Sequence, residues 1–264
     1  MLKTIPFYVV AFNRIKGLKS AKEFVDNSSV PLKLIVLDMG STWEPFLEFR
    51  DSLGVKVHRY PKGMGPRDLW TSGKLEELGE GEFFLSDGDI DYSHVSSFAA
   101  EQMIQLSREY PWFPKIGLAL KINDLPSDLE GNRIRDWAKG DWAVSWDDQT
   151  FLTGLDTTIA YYPRREKRFY YRPALRIASK FQATHYPWYE RPENYDDEAK
   201  FYMNLASPSV SSGQARLVTN RSFKIKRQIW LLLYKILKSP LKTRILGKVC
   251  VKLLSVRGTI TPKD

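Results

Sequence analysis

Three carboxylates at alternate positions follow a short apolar segment in the first half of the chain. Asp87, Asp89 and Asp91 come directly after the run 83–86, which has the composition of a buried strand. Two carboxylates one residue apart suit Mg²⁺ or Mn²⁺, which proteins commonly hold with one or two carboxylates plus substrate phosphates. Gly88 between them lets a ligand approach the backbone. The alternative is an acidic turn, because Asp-Gly is a frequent turn pair.

The elements before these carboxylates alternate between strand and helix patterns. Apolar strand-like runs and segments of helical spacing follow one another in the order 5–12, 16–27, 33–37, 43–53, 55–60, 67–78 and 83–86. This alternation predicts βαβ units, and therefore an α/β fold with a Rossmann-like, mainly parallel sheet flanked by helices. Ligands of such sheets bind outside the carboxyl ends of the strands, so the polar residues after each strand should meet at one edge.

The second half of the chain is less regular. A helix is predicted over 95–109 and strands over 116–122 and 157–162, with a Trp-rich stretch between the strands. A compact aromatic cluster surrounds His185 at 184–189. We find no internal repeat, and we interpret residues 1–220 as one domain.

Charge divides the chain into two parts. The 264 residues have a formal net charge of +9, but 221–257 contain eleven Lys/Arg and no Asp/Glu, which leaves residues 1–220 at a net charge of −2. Any polyanionic partner should therefore bind the tail, 221–264. The only cysteine, Cys250, permits no intramolecular disulfide. Together with the lack of a recognisable signal peptide, this favours the cytosol.

The tail has the pattern of basic amphipathic helices. Arg244, Lys248 and Lys252 stand at four-residue spacing, and apolar residues fill much of the remaining surface. Such helices lie in the interface of anionic membranes, which favours a peripheral position on the inner face of the membrane. The alternative is a helical hairpin that packs on the domain with its lysines in water. No nucleic-acid recognition motif is present, so nucleic acid is not expected as a partner.

The order of the motifs resembles one enzyme family. After the first four predicted strands the chain has Phe12-Asn13-Arg14, Asp38-Met39-Gly40-Ser41-Thr42, Gly63-Met64-Gly65-Pro66-Arg67 and Asp87-Gly88-Asp89. This series, within roughly residues 5–190, resembles the nucleotide-sugar glycosyltransferases of the GT-A fold, especially the family-2-like group. The last motif corresponds to the Asp-X-Asp metal motif of that family.

The resemblance implies roles for the residues that would bind the nucleotide-sugar. Phe12 would stack on the base, and Asp38 would accept a hydrogen bond from a base N–H, with uracil as the favoured base. Asn13 and Arg14 would lie beside the nucleotide. Arg67 would add positive charge at the diphosphate.

The resemblance also implies a metal site. Asp89, with Asp87, would hold Mn²⁺ or Mg²⁺ on the diphosphate of the donor, where positive charge stabilises the leaving group. Since some GT-A enzymes complete the metal shell with a downstream histidine, His185 is a further candidate ligand; the alternative is a histidine packed among aromatic residues. Imidazole suits Mn²⁺ better than Mg²⁺. Trp188 is the tryptophan that we expect to line the site.

The general base is where the chain departs from the family pattern. Inverting family-2 enzymes carry an acidic pair after the acceptor-side strand, and no such pair stands at that place here. The available carboxylates are Asp156, before the predicted strand 157–162, and Glu190, after the aromatic cluster. We expect Asp156 to be the base, because its place at a strand edge should direct it into the cleft; a turn-capping role is the alternative. Inversion or retention at the anomeric carbon stays open.

These features predict a metal-dependent glycosyltransferase that moves a sugar from a nucleotide donor, with UDP favoured, to a hydroxyl. The acceptor would be a glycan or a lipid-linked glycan, as in the synthesis of bacterial surface polysaccharides. Two alternatives are a phosphotransferase of the haloacid-dehalogenase type, which also uses an Asp-X-Asp motif, and a non-catalytic scaffold tethered to a membrane.

Overall fold

The fold is an α/β arrangement whose elements follow the predicted alternation. The computed structural model describes residues 3–66, 68–111, 113–142, 145–155, 158–163 and 172–205. The strands in this part are β1 Ile5–Ala11, β2 Leu32–Asp38, β3 Lys56–Arg59, β4 Phe83–Asp87, β5 Ile90–Asp91, β6 Ile116–Leu118, β7 Thr150–Leu155, β8 Ile159–Tyr162, β9 Arg172–Ile177 and β10 Thr184–His185. The α-helices are α1 Ile15–Asp26, α2 Glu44–Ser52, α3 Asp68–Thr71, α4 Lys74–Glu77, α5 Ala99–Glu109, α6 Leu129–Ala138 and α7 Asp197–Leu205.

The main sheet is mixed, with its parallel part in the first half of the chain. Its strand order is β3-β2-β1-β4-β8-β6-β9-β7. The pairs among β1, β2, β3 and β4 are parallel, whereas β8 and β7 run antiparallel to their partners. A second, two-stranded sheet joins β5 to β10. The prediction of a mainly parallel sheet flanked by helices is thus confirmed, with two antiparallel strands that come from the irregular second half.

Apolar residues cover both faces of the sheet, which explains why the first strands read as continuous apolar runs. On one face, Leu18 and Phe24 of α1 and Met103 of α5 pack against the strands. On the other face, Leu69 of α3 and Leu75 of α4 do so. This two-sided packing fixes the strands whose carboxyl ends form the candidate site.

Several predicted boundaries differ from the observed ones. The single helix predicted at 67–78 is two short helices, α3 and α4, because Gly73 between them has a left-handed backbone conformation with φ 73°. The helix predicted from 95 begins at Ala99, after a local turn in which Ser96 accepts from the N–H of Phe98. The strand predicted at 116–122 ends in the main sheet at Leu118, because residues beyond it pair with Ala183 instead.

The described residues contain no helix that is both long and apolar enough to cross a membrane. The predicted tail, 221–264, and the domain boundary at 220 lie outside the described residues. Both stay predictions.

Candidate functional site at the carboxyl edge of the sheet

The ends of three parallel strands bring two of the predicted acidic residues to one edge. β1 lies between β2 and β4, and Ala11 pairs with Asp38 while Val10 pairs with Asp87. Asp38 and Asp87 therefore flank the end of β1 on either side. This is the edge at which open α/β sheets bind ligands.

A close backbone crossing holds the turn between β4 and β5. A Cβ atom at Gly88 would stand 2.7 Å from the carbonyl oxygen of Val10, and one at Gly17 would stand 2.0 Å from the carbonyl oxygen of Gly88. Real Cβ atoms do not approach so closely, so both positions require glycine. The absence of these two side chains lets α1 pack directly on the turn that carries Asp87 and Asp89.

His185 reaches this turn from a distant part of the chain. β10 pairs with β5 in antiparallel register, His185 opposite Ile90, and the N–H of Tyr186 donates to the carbonyl of Asp89 at 3.0 Å. The Nε2 atom of His185 lies 3.4 Å from Oδ2 of Asp89. Burial opposes ionisation of Asp89, but His185 and Arg14 outweigh burial and lower the pKa of that carboxyl. Asp89 is therefore a carboxylate at neutral pH.

Trp188 supports His185 from the interior. Its ring packs edge-on against His185, with centroids 5.1 Å apart, and against Trp137 at 6.1 Å. Trp188 is 7% exposed, whereas Trp137 is 42% exposed. In this arrangement Trp188 is a packing partner of the predicted metal ligand, and Trp137 is the ring that faces solvent.

The two residues predicted to hold the base have protein partners in the structure. Asp38 is buried; its Oδ1 accepts from the N–H of Ser41 at 2.8 Å, and its Oδ2 accepts from Nη1 of Arg50. Phe12 is half-buried and packs edge-on against Tyr202 of α7, with centroids 6.1 Å apart. Burial and the charge of Asp89 raise the pKa of Tyr202 to about 12, so this ring is a neutral phenol.

Asn13 organises the loop that follows β2. It is fully buried in a left-handed conformation, with φ 53°, which asparagine tolerates better than most residues. Its Oδ1 accepts from the N–H groups of Thr42 and Trp43, both at 2.9 Å, and its own N–H donates to Oγ of Ser41 at 3.0 Å. Asn13 thus shapes the edge of the site through the backbone of 41–43.

Arg14 is buried in an ion-pair cluster. Its Nη1 and Nη2 atoms donate to the two carboxylate oxygens of Glu190 at 2.7 and 2.9 Å, and Nη1 lies 3.8 Å from Oε1 of Glu198. Oε2 of Glu198 accepts from the first N–H groups of α1, those of Ile15 and Lys16. α7 therefore closes the start of α1 with a carboxylate that complements the helix dipole.

The predicted residues Arg67 and Asp156 lie outside the described residues. Glu190, the other carboxylate considered for the general base, is engaged with Arg14 through both oxygens. Asp156 stays a prediction for the base, and Arg67 for the diphosphate.

The acidic turn fits a divalent cation, although the described residues contain no group of three or more His, Cys, Asp or Glu side chains arranged to hold one. The Oδ1 atom of Asp89 is buried and has no hydrogen-bond partner among the residues that the structure describes, while Oδ2 faces His185. A buried carboxylate oxygen without a donor is costly unless a cation or water satisfies it. One or two carboxylates with substrate phosphates are a sufficient ligand set for Mg²⁺ or Mn²⁺.

Sequence reasoning missed four residues that complete this region, namely Arg50, Glu190 as the partner of Arg14, Glu198 and Tyr202. Each contacts a predicted residue through a side chain far away in the sequence or on a different element. No local pattern marks them. Only the packing of α2, α7 and the segment before α7 brings them to the edge.

The chain is similar to solved structures of a glucosyl-3-phosphoglycerate synthase, of TarS and of a CMP:2-keto-3-deoxy-manno-octonic acid synthetase. Glucosyl-3-phosphoglycerate synthase from Mycobacterium tuberculosis in complex with UDP is 15% identical, with a TM-score of 0.39 over 61% of this chain and 57% of that chain. TarS 1–349 from S. aureus is 10% identical, with a TM-score of 0.45 over 98% and 95%. CMP:2-keto-3-deoxy-manno-octonic acid synthetase in complex with CTP is 12% identical, with a TM-score of 0.35 over 47% and 55%.

This chain spans about half the length of the synthase. In the synthase structure with Mn²⁺, UDP-glucose and phosphoglyceric acid, the match covers 47% of the synthase chain. No family model and no curated protein sequence matches the chain.

Proposed function

We propose that this protein transfers a sugar from a nucleotide-sugar donor, with UDP as the favoured nucleotide, to a hydroxyl group. The observation that supports the proposal best is the meeting of Asp38, Asp87 and Asp89 at the end of β1, with His185 brought against Asp89. An acidic edge of this kind can hold a diphosphate through a cation while the nucleoside lies beside β1 and β2.

The residues that would hold the cation are Asp89, Asp87 and His185. A divalent ion there supplies positive charge to the leaving nucleoside diphosphate. The protein adds Asp89 already ionised and a histidine ring held in place by Trp188. The mixed oxygen and nitrogen set favours Mn²⁺ over Mg²⁺.

The nucleoside would lie beside the carboxyl ends of β1 and β2. Phe12 offers a half-exposed ring for stacking. The two carboxylate oxygens of Asp38 already accept from Ser41 and Arg50, so a base N–H would have to use a second lone pair on one of them. Asn13 shapes the loop around the base, Arg67 would contact the diphosphate, and Asp156 would take the proton of the acceptor hydroxyl.

The acceptor in this proposal is a glycan or a lipid-linked glycan, as in bacterial surface polysaccharide synthesis. The support is the basic tail, 221–264, whose sequence pattern suits the surface of an anionic membrane. The protein would then work in the cytoplasm as a peripheral protein on the inner face of the membrane.

Calorimetric titration tests the proposal. UDP is titrated into the protein with and without Mn²⁺; we expect binding that requires the ion and is lost in Asp89→Asn. Asp26→Asn, at the exposed end of α1, is the matched control that should bind as the wild type does.

Two results would contradict the proposal. If UDP binds with the same affinity with and without Mn²⁺ and in Asp89→Asn, the nucleotide does not bind at the acidic turn. Hydrolysis of a generic phosphomonoester without any binding of UDP would favour the phosphotransferase alternative. Against that alternative, its Asp-X-Asp motif usually follows the first strand, whereas the motif here follows the fourth.

A further inference from the structure

The side chain of Arg14 has no free surface for a substrate. Arg14 is 3% exposed, its two terminal nitrogens bind Glu190 in a bidentate pair, and its guanidinium stands 4.1 Å over the ring of Tyr202. The third nitrogen, Nε, has no partner among the described residues but is buried, so a direct contact with the nucleotide-sugar, as the resemblance implied, would require the residues around Arg14 to move. The arrangement indicates that Arg14 affects the site through the residues that it binds and not through contact with the substrate.

The partner of Arg14 belongs to a segment that carries the candidate metal ligand. We call residues 184–191 the histidine segment. Its first residues pair with β5, and the N–H of Tyr186 bonds to Asp89. Its last residues carry two charged anchors: Glu190 binds Arg14, and Arg191 binds Asp128 at the start of α6. His185 is thus held between the β5 pairing and the charged anchors.

The two charged anchors differ in their surroundings. The side chains of Arg14 and Glu190 are 4% and 17% exposed, whereas those of Arg191 and Asp128 are 12% and 43% exposed, so Asp128 is the one partner of the four that faces water. Exposed ion pairs contribute little because water and salt screen them. Both pairs are bidentate. Only in the Arg14–Glu190 pair are both partners largely buried, so removing one of them leaves a buried charge without compensation.

We propose that Arg14 is a positioning residue, which holds His185 against Asp89 through Glu190 and so keeps the cation site assembled before the donor binds. The role as part of a cation site rests on the proposed function. The positioning of His185 itself concerns the protein alone, so the two parts can be tested separately.

Binding of Mn²⁺ in the presence of UDP tests the first part, with free Mn²⁺ followed by electron paramagnetic resonance. Arg14→Lys keeps the charge but loses the planar guanidinium, whose two nitrogens bind one carboxylate together. Glu190→Gln keeps the shape of the side chain but loses its charge. Both should weaken Mn²⁺ binding about tenfold, the lower end of the loss seen when partners of metal ligands are removed. Asp128→Asn, which breaks the exposed anchor of the same segment, is the matched control and should retain the wild-type affinity.

Histidine NMR signals test the second part without metal or donor. The chain has only three histidines, His58, His94 and His185, so the ring signals can be assigned by single substitutions. In Glu190→Gln we expect the His185 signals to shift or broaden while the other two stay in place. Glu190→Asp, which keeps the charge on a shorter side chain, replaces the glutamine variant if circular dichroism shows that the latter is unfolded, and the same result is expected.

Unchanged Mn²⁺ affinity together with unchanged His185 signals would overturn the proposal. A fall in the kcat of Glu190→Gln with normal Mn²⁺ binding would also overturn it, because that result assigns Glu190 to proton transfer. If the wild type shows no Mn²⁺-dependent binding of UDP, the proposed function fails. The NMR comparison then still decides whether Arg14 holds His185.

Discussion

At the scale of single residues, the site depends on contacts between groups that are remote in sequence. Asp89 alone is one carboxylate of an acidic turn, and His185 alone is a histidine among aromatic residues. The 3.4 Å approach of Nε2 to Oδ2 joins them, and the edge-on packing of Trp188 fixes the ring. The two side chains therefore meet at the acidic turn, where the proposed cation would bind.

We predict that His185→Ala weakens binding of Mn²⁺ more than binding of Mg²⁺. The reason is that Mn²⁺ accepts an imidazole ligand more readily than Mg²⁺, which prefers oxygen. Calorimetric titration of each ion in the presence of UDP measures the two affinities. His94→Ala, at an exposed position outside the site, is the control. Equal losses for the two ions would argue that His185 acts through packing only.

At the scale of elements, the crossing of α1 over the β4–β5 turn depends on two glycines. Gly17→Ala would place a Cβ 2.0 Å from the carbonyl oxygen of Gly88, which is backbone and cannot rotate away. Overpacking of this kind costs typically 1–3 kcal/mol. Alanine recovers about 1 kcal/mol of helix propensity.

We therefore predict that Gly17→Ala lowers the free energy of unfolding by about 2 kcal/mol, as the overpacking cost at the upper end of its range exceeds the helix gain. Urea denaturation measures the change. Lys19→Ala, on the exposed side of the same helix, should change it by less than about 0.5 kcal/mol. A stabilised Gly17→Ala protein would show that α1 and the turn can separate without cost.

The anchor between Arg191 and α6 has a defined pH dependence. The ion pair with Arg191, together with the N–H of Gly131, lowers the pKa of Asp128 to about 2, whereas an unfolded aspartate titrates near about 4. A carboxylate with a depressed folded-state pKa stabilises the fold above its unfolded pKa, and this contribution is lost as the pH falls through the folded value.

We accordingly predict that the wild type has a slightly higher Tm than Asp128→Asn at pH 7, a small difference because water screens the exposed Asp128. The difference should shrink as the pH falls from about 4 toward about 2. Thermal melts followed by circular dichroism over this range measure both proteins. A difference that stays constant with pH would mean that Asp128 acts only as an uncharged cap of α6.

At the scale of the whole molecule, charge divides the sequence into two parts. Residues 1–220 are mildly acidic and contain the candidate site, while 221–257 contain eleven basic residues and no acidic ones. Each basic group near an anionic membrane contributes about 1 kcal/mol, and salt screens the contribution. We therefore expect salt to weaken any binding of the tail to a membrane.

We predict that the protein binds vesicles containing phosphatidylglycerol at low salt and is released at high salt. Replacing Arg244, Lys248 and Lys252 by glutamine should weaken binding, because these residues share one face of the predicted helix. Vesicle flotation measures the bound fraction. Glutamine at Lys19, Lys33 and Lys74 of the body is the matched control, with the same loss of charge. Equal effects of the two triple variants would show that net charge alone decides binding.

The sequence by itself determined the fold class and the acidic edge. Alternating strand and helix periods predict parallel βαβ units, and parallel strands deliver the residues after them to the same edge; Asp38 and Asp87 accordingly flank β1. These are local patterns combined with a general rule of topology, so they can be read without coordinates.

Only the tertiary structure decided which charged groups pair. Arg14 with Glu190, Asp38 with Arg50 and His185 with Asp89 are contacts between side chains on different elements. The physical reason is that burial forces each charge to find a partner, but the choice of partner depends on how α2, α7 and the histidine segment pack on the sheet. No sequence period encodes that packing.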